Sequence, residues 1–318
     1  MSIRKILKAL QKNKIFLISG HVNPDVDVLA SELALALFLK SQGKKVFVVN
    51  PDAVPRMYQF LPGVRAIKKF NGQNFNYDAA IILDCGDLGR IEKIQSILKK
   101  SRILINIDHH VTNREFGDLN LVDVKASSTS EIIFTLLKQA RYQLDRKIAG
   151  LLYLGIMTDT GSFRYDNTTS YTHGIVSELL KFKISPRAMH RDIYENVPPA
   201  DLKLFLKIIR HFDMCCRGRV AVVALRNETF KKFSDEFDLR EKIFSLLRTV
   251  RGIEVIVILT EINKRLVRLN FRSQGKADVA RLAAFYHGGG HKRASGGRVE
   301  ASLRKAKKDI LRRLKVVL

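Results

Sequence analysis

Four short apolar runs punctuate the first 110 residues: KIFLISG at 14–20, KVFVVN at 45–50, AAIILDC at 79–85 and ILINID at 103–108. Each has the length and β-branched content of a buried strand. Helical patterns intervene or follow at 28–42, 89–99, 128–140 and 145–157, the third opening with Ser128 and Glu131 in capping-box spacing. Strands joined through helices cannot pair as hairpins, and the crossover returns each one parallel to the last. Residues 1–184 are therefore expected to form an α/β domain with a doubly wound, largely parallel sheet.

The pattern changes at ISPRAMHRDIYENVPPADLK (184–203), whose three prolines mark a linker at 185–200. Residues 201–318 offer a helix near 200–213 and strands RVAVVAL (219–225), IEVIVILTEI (253–262) and RLVRLNFRS (265–273). A helix near 277–286, the stretch HGGGHKRASGG and a final basic helix complete it. This predicts a second, smaller α/β domain with a mixed sheet and a glycine-rich loop. A length of 318 residues is enough for two cores.

Several classes drop out. The longest apolar stretch, IEVIVIL, falls short of the ~20 residues of a membrane span, so no membrane partner is expected. The amphipathic start MSIRKILKALQKNK lacks a secretory pattern. Cys85, Cys215 and Cys216 have neither disulfide-framework nor zinc spacing. A cytoplasmic location is the expectation. The net charge of +25 points to polyanionic partners, with a solvated basic surface as the alternative. From 201 onward, 28 Lys and Arg face 12 Asp and Glu, so the excess concentrates in the second domain.

Open parallel sheets bind ligands beyond the carboxyl ends of their strands. At those ends lie GHVNPDVD, with His21, Asp25 and Asp27; DCGD, with Asp84 and Asp87; NIDHH, with Asp108, His109 and His110; and, after a helix, MTDTGSF with Asp159. Asp87 reads as a turn or helix cap. The other acids, gathered at one edge, repel one another unless cations offset them. Imidazole and carboxylate ligands without thiolate suit Mn²⁺, with Mg²⁺ or another first-row ion as alternatives. Two such ions ~3.5–4 Å apart would clamp an oxygen nucleophile and a phosphoryl group.

The ordered motifs H-x-N-P-D-x-D, a strand-end Asp, D-H-H, a later Asp and a distal G-G-G-H resemble the DHH phosphoesterase family with its DHH-associated C-terminal domain, over nearly the whole chain. Length and layout resemble the nano-RNase branch. Val26 and Val28 stand where that family usually has Gly and Ala. The resemblance implies one ion held by His21, Asp25 and Asp84 and a second by Asp27, Asp84, His109 and Asp159, with Asp84 bridging. It gives Asp108 an orienting role and sets His110 beside the scissile phosphate as donor or proton shuttle. It also assigns Arg272 and His291 to substrate phosphate, in company with Ser273. The glycines Gly288, Gly289 and Gly290 would let backbone N–H groups approach an anion.

The expected activity is metal-dependent hydrolysis of short RNA to nucleoside monophosphates and of pAp to AMP and phosphate, by a protein able to form a homodimer. A cyclic-dinucleotide or linear dinucleotide (pApA) phosphodiesterase is the nearest alternative. A non-catalytic RNA-binding protein is the alternative from another class.

Overall fold

The computed structural model describes residues 3–98 and 103–317 and, for His291 and residues 315–317, the backbone alone. The chain divides between Glu195 and Asn196 into two compact units.

In the first unit, β1 (Ile15–Ser19), β2 (Lys45–Asn50), β3 (Ile67–Lys69), β4 (Ala79–Leu83), β5 (Leu104–Asp108) and β6 (Leu119–Val122) form a parallel sheet in the order β3-β2-β1-β4-β5-β6. Its helices are α1 (Ile3–Lys12), α2 (Val26–Ser41), α3 (Gln95–Leu98), α4 (Thr129–Gln139), α5 (Arg146–Asp159), α6 (Ser170–Leu180) and α7 (Pro186–Tyr194). The expected doubly wound sheet is thus present. The central strands are apolar on both faces because both faces are covered. Ile18, Ile81 and Ile107 lie in one core with residues of α2, α4 and α5, while Leu17, Ala80 and Ile82 pack against Ile91, Ile94 and Ile97. The chain starts at β1, winds outward to β3, then returns to β4 on the other side of β1. That reversal opens a crevice between the carboxyl ends of β1 and β4.

Two edge strands went unread in the sequence, since β3 and β6 have three and four residues, too few to show a period. The helix expected at 89–99 is also different. A 3₁₀ segment, Leu88–Ile94, breaks at Glu92 (φ 42°) before α3 adds one turn. Ile91, Ile94 and Ile97 recur every third residue, which suits the 3₁₀ repeat; residue 99 lies outside the described residues. Asp87 does cap this segment, accepting from the Gly89 N–H at 2.6 Å.

The second unit contains α8 (Pro199–Ile209), β7 (Asp213–Cys215), β8 (Val220–Leu225), α9 (Asn227–Phe230), α10 (Leu239–Leu247), β9 (Val255–Asn263), β10 (Leu266–Ser273), α11 (Val279–Ala284), β11 (Gly289–His291), β12 (Ala294–Val299) and α12 (Leu303–Val317). Its mixed sheet runs β11-β12-β10-β9-β8-β7, with β8 and β9 parallel and the other pairs antiparallel. The region read as a linker is largely helical. Ser185 caps α7, and α8 begins at Pro199, so only residues 195–198 separate the two helices. Among the described residues, no helix is long and apolar enough to cross a membrane.

The glycine-rich stretch is a hairpin rather than an open loop. Gly289, Gly290 and His291 pair with Gly296, Ser295 and Ala294 across a turn at Lys292 and Arg293. A Cβ at Gly288 would lie 2.0 Å from the Gly296 carbonyl oxygen, and Gly290 has φ 135°. The glycines are needed here because two strands meet closely. The Gly288 N–H is taken by the Ala283 carbonyl at 3.1 Å.

Candidate metal centre

His21 follows β1 and Asp84 follows β4, so they face each other across the reversal point. Asp84 adopts φ 53°, a left-handed conformation that Asp tolerates better than most residues. Its Oδ1 accepts from Thr129 Oγ1 at 2.9 Å, and its Oδ2 lies 3.4 Å from His21 Nε2. His21 Nδ1 lies 2.8 Å from the Val22 carbonyl oxygen; a donated Nδ1–H leaves Nε2 as the nitrogen on the carboxylate side. Asp25 caps α2 by accepting from the Val28 N–H at 3.2 Å, and its Oδ2 is 3.8 Å from His21 Nε2. Val26 and Val28 are buried in the first turn of α2, and Val28 occupies the space that a side chain at Gly20 would need.

Asp27 is buried in that same turn. Its carboxylate receives the N–H groups of Thr129 and Ser130 at 2.7 and 3.0 Å. These belong to the first turn of α4, whose N–H groups have no partner within the helix and favour a negative charge. Ser128 caps α4 on the Glu131 N–H at 3.1 Å. Glu131 does not reciprocate as the capping-box spacing suggested; its Oε2 instead accepts from Ser127 and Thr172 at 2.6 and 2.9 Å.

His109 Nε2 stands 3.5 Å from Asp84 Oδ1 and 3.4 Å from Asp159 Oδ2, at the end of α5. His110 Nδ1 is 2.6 Å from Asp108 Oδ1, whose other oxygen accepts from Asn113 Nδ2 at 2.5 Å. Asn113 is held in turn by Asn106 Oδ1 at 2.8 Å. Asp108 is fully buried behind the cluster and holds the ring of His110 through this contact.

Among the described residues, three sets of side chains bring ligand atoms within 4.8 Å of one another: His21, Asp25 and Asp84; Asp27, His109 and Asp159; and Asp84, His109 and His110. Asp84 and His109 each belong to two of them. The pKa shifts show how poorly this arrangement is balanced by protein alone. Burial, reinforced by the Asp84 charge, pushes Asp27 up to about 7, and burial likewise holds Asp159 well above the usual carboxylate range. Burial would lower His21 and His109, yet the neighbouring carboxylates outweigh it and lift both to about 9. Burial also opposes ionisation of Asp84, but the surrounding imidazoles overcome it and leave its pKa below the ordinary value. Nearby Glu32 is pushed up to about 8 by burial, with Oε2 on Asn50 and Oε1 lacking a hydrogen-bond partner. A buried set of four carboxylates and three imidazoles that share atoms in this way is chemically fit to hold divalent cations. Asp25 lies at its exposed edge and Asp159 is only partly accessible, their side chains 54% and 31% accessible against 4% for Asp84.

The sequence singled out these side chains but missed their supports. Thr129, Ser130, Asn106 and Asn113 carry no motif of their own. Gly155 was also overlooked: a Cβ there would lie 2.0 Å from Ser130 Oγ and 2.6 Å from Asp27 Oδ1, so α5 approaches the cluster only because this position is bare.

The remaining expected residues lie on the second unit. Arg272 sits with its guanidinium 4.9 Å from the Phe244 ring centre. Successive residues of β10 alternate, so Ser273 is turned to the opposite face, buried, with Oγ lacking a hydrogen-bond partner. The register aligns Arg272 with Ala294 and Ala294 with His291, whose side chain lies outside the described residues.

The sequence profile of the DHH family, N-terminal domain, matches residues 15–156. The chain is 30% identical over 301 residues to the bifunctional oligoribonuclease and PAP phosphatase NrnA of Bacillus subtilis (strain 168), covering 93% of this chain and 92% of that protein. A solved structure of an exopolyphosphatase-related protein from Bacteroides fragilis superimposes with a TM-score of 0.90 at 28% identity, over 99% of this chain and 96% of that one. A probable manganese-dependent inorganic pyrophosphatase of Archaeoglobus fulgidus is 25% identical over 182 residues, about half of each chain (51% and 54%).

Proposed function

Because the chain belongs to the DHH family, in the branch of the bifunctional oligoribonucleases and PAP phosphatases, we propose that it is a metal-dependent phosphoesterase. Its substrates are short oligoribonucleotides, cut to nucleoside monophosphates, and pAp, converted to AMP and phosphate. The observation that carries this reading is the run of cation-competent sets at the β1/β4 crevice, linked to one another through Asp84 and His109. We assign His21, Asp25 and Asp84 to one cation and Asp27, Asp84, His109 and Asp159 to the other, with Asp84 between them. Mn²⁺ is the preferred ion, supported by the mixed donor set and by the manganese-dependent relative.

Two divalent cations in such a site supply an activated oxygen nucleophile and neutralise charge on the phosphoryl group. The protein's own part is positioning. Asp84 and Asp27 are anchored by Thr129 and Ser130, which fixes the carboxylate geometry before substrate arrives. Asp108 fixes the ring of His110, which we assign to donate to a phosphate oxygen or return a proton to the leaving oxygen. Arg272 and His291 are assigned to substrate phosphate on the second unit, where the positive charge is concentrated, while Gly288, Gly289 and Gly290 shape the hairpin beside them. A cytoplasmic location suits these substrates.

The test is a substrate panel with Mn²⁺: pAp, pApA, cyclic dinucleotides and RNA from two nucleotides upward, with and without EDTA. The proposal expects EDTA-sensitive hydrolysis, kcat/KM greatest at two to five nucleotides, and competition by pAp. A rate that climbs steadily to tens of nucleotides would refute it in favour of a processive nuclease. Exclusive action on cyclic dinucleotides or pApA would assign the chain to a dinucleotide phosphodiesterase.

A further inference from the structure

One face of the second unit's sheet is only half covered. Along β10, Val267, Leu269 and Phe271 point into the core that contains Ile310 and Leu314 of α12, while Arg268, Asn270 and Arg272 alternate to the other face. On that other face, Ile256 and Ile258 of β9 lie under Ile243, Phe244 and Leu247 of α10. Beyond β10 the large side chains stop. The register sets Arg298 opposite Arg268, Gly296 opposite Asn270 and Ala294 opposite Arg272, with Gly289 next to Gly296. Residues opposite each other in an antiparallel pair share a face. Nothing lies within 4 Å of where a Cβ would stand at Gly289. The result is a floor of small residues bordered by guanidinium groups.

The arginines at the Arg268 end form a group of their own. Arg240, near the start of α10, rests over the Phe230 ring at 5.2 Å. Burial and the like charges of Arg240 and Arg298 pull the Arg268 pKa below its ordinary value. Arg268 and Arg298, paired across the strands, with Arg240 adding a like charge to the half-buried Arg268, weigh against the folded state unless an anion offsets them. The polar atoms of the floor are also incompletely satisfied: Asn270 Oδ1 and Thr260 Oγ1 are buried without a hydrogen-bond partner. These two atoms lie beneath the surface, and the open, cationic face above them calls for a ligand of negative charge.

We propose that Arg240, Arg268 and Arg298 form a phosphate subsite for single-stranded oligoribonucleotides, distinct from Arg272, with Asn270 and the Gly289/Gly296 floor beneath the intervening nucleoside. Arg268 and Arg272 are four residues apart on β10, about 13 Å at the rise of a strand. That span admits more than one nucleotide. A mononucleotide such as pAp therefore engages one end, and an oligomer both. Planar guanidinium forks suit phosphate oxygens, and the glycines leave room for a ribose or base over the strand. This subsite deepens the proposed activity by supplying a basis for chain-length preference, and it rests on that activity only for its catalytic readout.

Direct binding separates the two. The full-length protein in EDTA is titrated against a fluorescein-labelled pentaribonucleotide by anisotropy at several salt concentrations, as wild type, Arg268→Gln and Arg298→Glu. Each substitution should weaken binding about tenfold. Arg268→Gln should also lower the steepness of the log Kd against log salt plot by about 0.7, the increment of one phosphate contact with a single strand. Melting temperature provides a control, since loss of a repulsive charge leaves it unchanged or higher, whereas loss of a purely structural arginine lowers it. With Mn²⁺, the ratio of kcat/KM for pentanucleotide to that for pAp should fall by the same factor of about ten. Unchanged pentanucleotide affinity overturns the subsite, as does weakened affinity accompanied by a lower melting temperature in both variants. Wild-type protein that binds the pentanucleotide through these arginines yet hydrolyses nothing refutes the proposed activity and leaves the subsite standing. Failure of wild type to bind the pentanucleotide refutes the subsite itself.

Discussion

Gly155→Ala should cripple catalysis through a contact that can be measured in advance. The added methyl would sit 2.6 Å from Asp27 Oδ1, where ordinary contact begins at 3.4 Å, so the carboxylate must retreat by about 0.8 Å or α5 must move. Neither response is easy. Asp27 is pinned by two N–H donors at 2.7 and 3.0 Å, and α5 is buried continuously from Ile148 to Met157. Overpacking of this kind costs about 1–3 kcal/mol, against a gain of roughly 1 kcal/mol from replacing a helical glycine with alanine. The net destabilisation should be no more than about 2 kcal/mol, a fall of at most several degrees in Tm. The catalytic effect should be larger, because displacement of a positioned group by about 1 Å costs on the order of 100-fold in rate. The assay is kcat/KM on pAp and a dinucleotide at saturating Mn²⁺, with melting curves alongside. Ser130→Ala in the same background removes the 2.0 Å clash but leaves those with Asp27 Oδ1 and with the Cβ of residue 130 at 2.7 Å. It should recover part of the stability and little of the rate. Wild-type rates in Gly155→Ala, or full recovery of rate in the double variant, would refute transmission through Asp27.

Asp84→Asn preserves shape and tolerates the left-handed backbone, so it removes charge alone. Hydrolysis of RNA and pAp should fall together by at least ~10³-fold, the worth of several kcal/mol of metal-assisted stabilisation, and calorimetric titration should show weakened divalent-ion binding; retained pAp hydrolysis would defeat the bridging assignment. Arg272→Ala should keep its divalent-ion binding while nucleotide affinity drops, as followed by the same titration with Mn²⁺ and then AMP, and loss of the ions would show that the residue serves the metal centre instead. Glu32→Gln tests the buried carboxyl. Its folded pKa, raised from 4.5 to about 8, makes the protonated form the favoured one, so its contribution to stability is present below 4.5 and is lost as pH rises through about 8. Wild type in EDTA should therefore lose up to ~1.4 kcal/mol per pH unit relative to Glu32→Gln across that window by urea denaturation, an upper estimate for so buried a group. Parallel pH profiles of the two proteins would rule this out.

What the sequence revealed and what it concealed divide by range. Asp25, Asp84, Asp108 and His109 were legible because each ends or follows an apolar run, and a parallel sheet collects such ends on one edge. The strand order was not legible in full, since β3 and β6 are too short to advertise themselves, although β3 and the return to β4 define the crevice. The contacts that hold Asp27 are hidden for another reason. Its donors lie 102 and 103 positions away, on backbone N–H groups of α4 that any residue there could supply. Ser128 and Glu131 announced that helix start correctly, yet nothing local said that a distant carboxylate would use it. Gly155 left one trace, a glycine within a helical pattern, where alanine would be about 1 kcal/mol more favourable. A glycine kept at that cost asks what lies against it, and the answer is a carboxylate assigned to a metal. The glycine-rich hairpin misled in the opposite direction: HGGGH looks like a free anion loop, but antiparallel strands at Gly288 and Gly296 need the same residues for close approach. Flexible backbone chemistry is ambiguous until its partner strand is known, whereas the alternation of Arg268, Asn270 and Arg272 along β10 could have been read from period two alone. The sequence lacked only the uncovered face that gives that alternation its meaning.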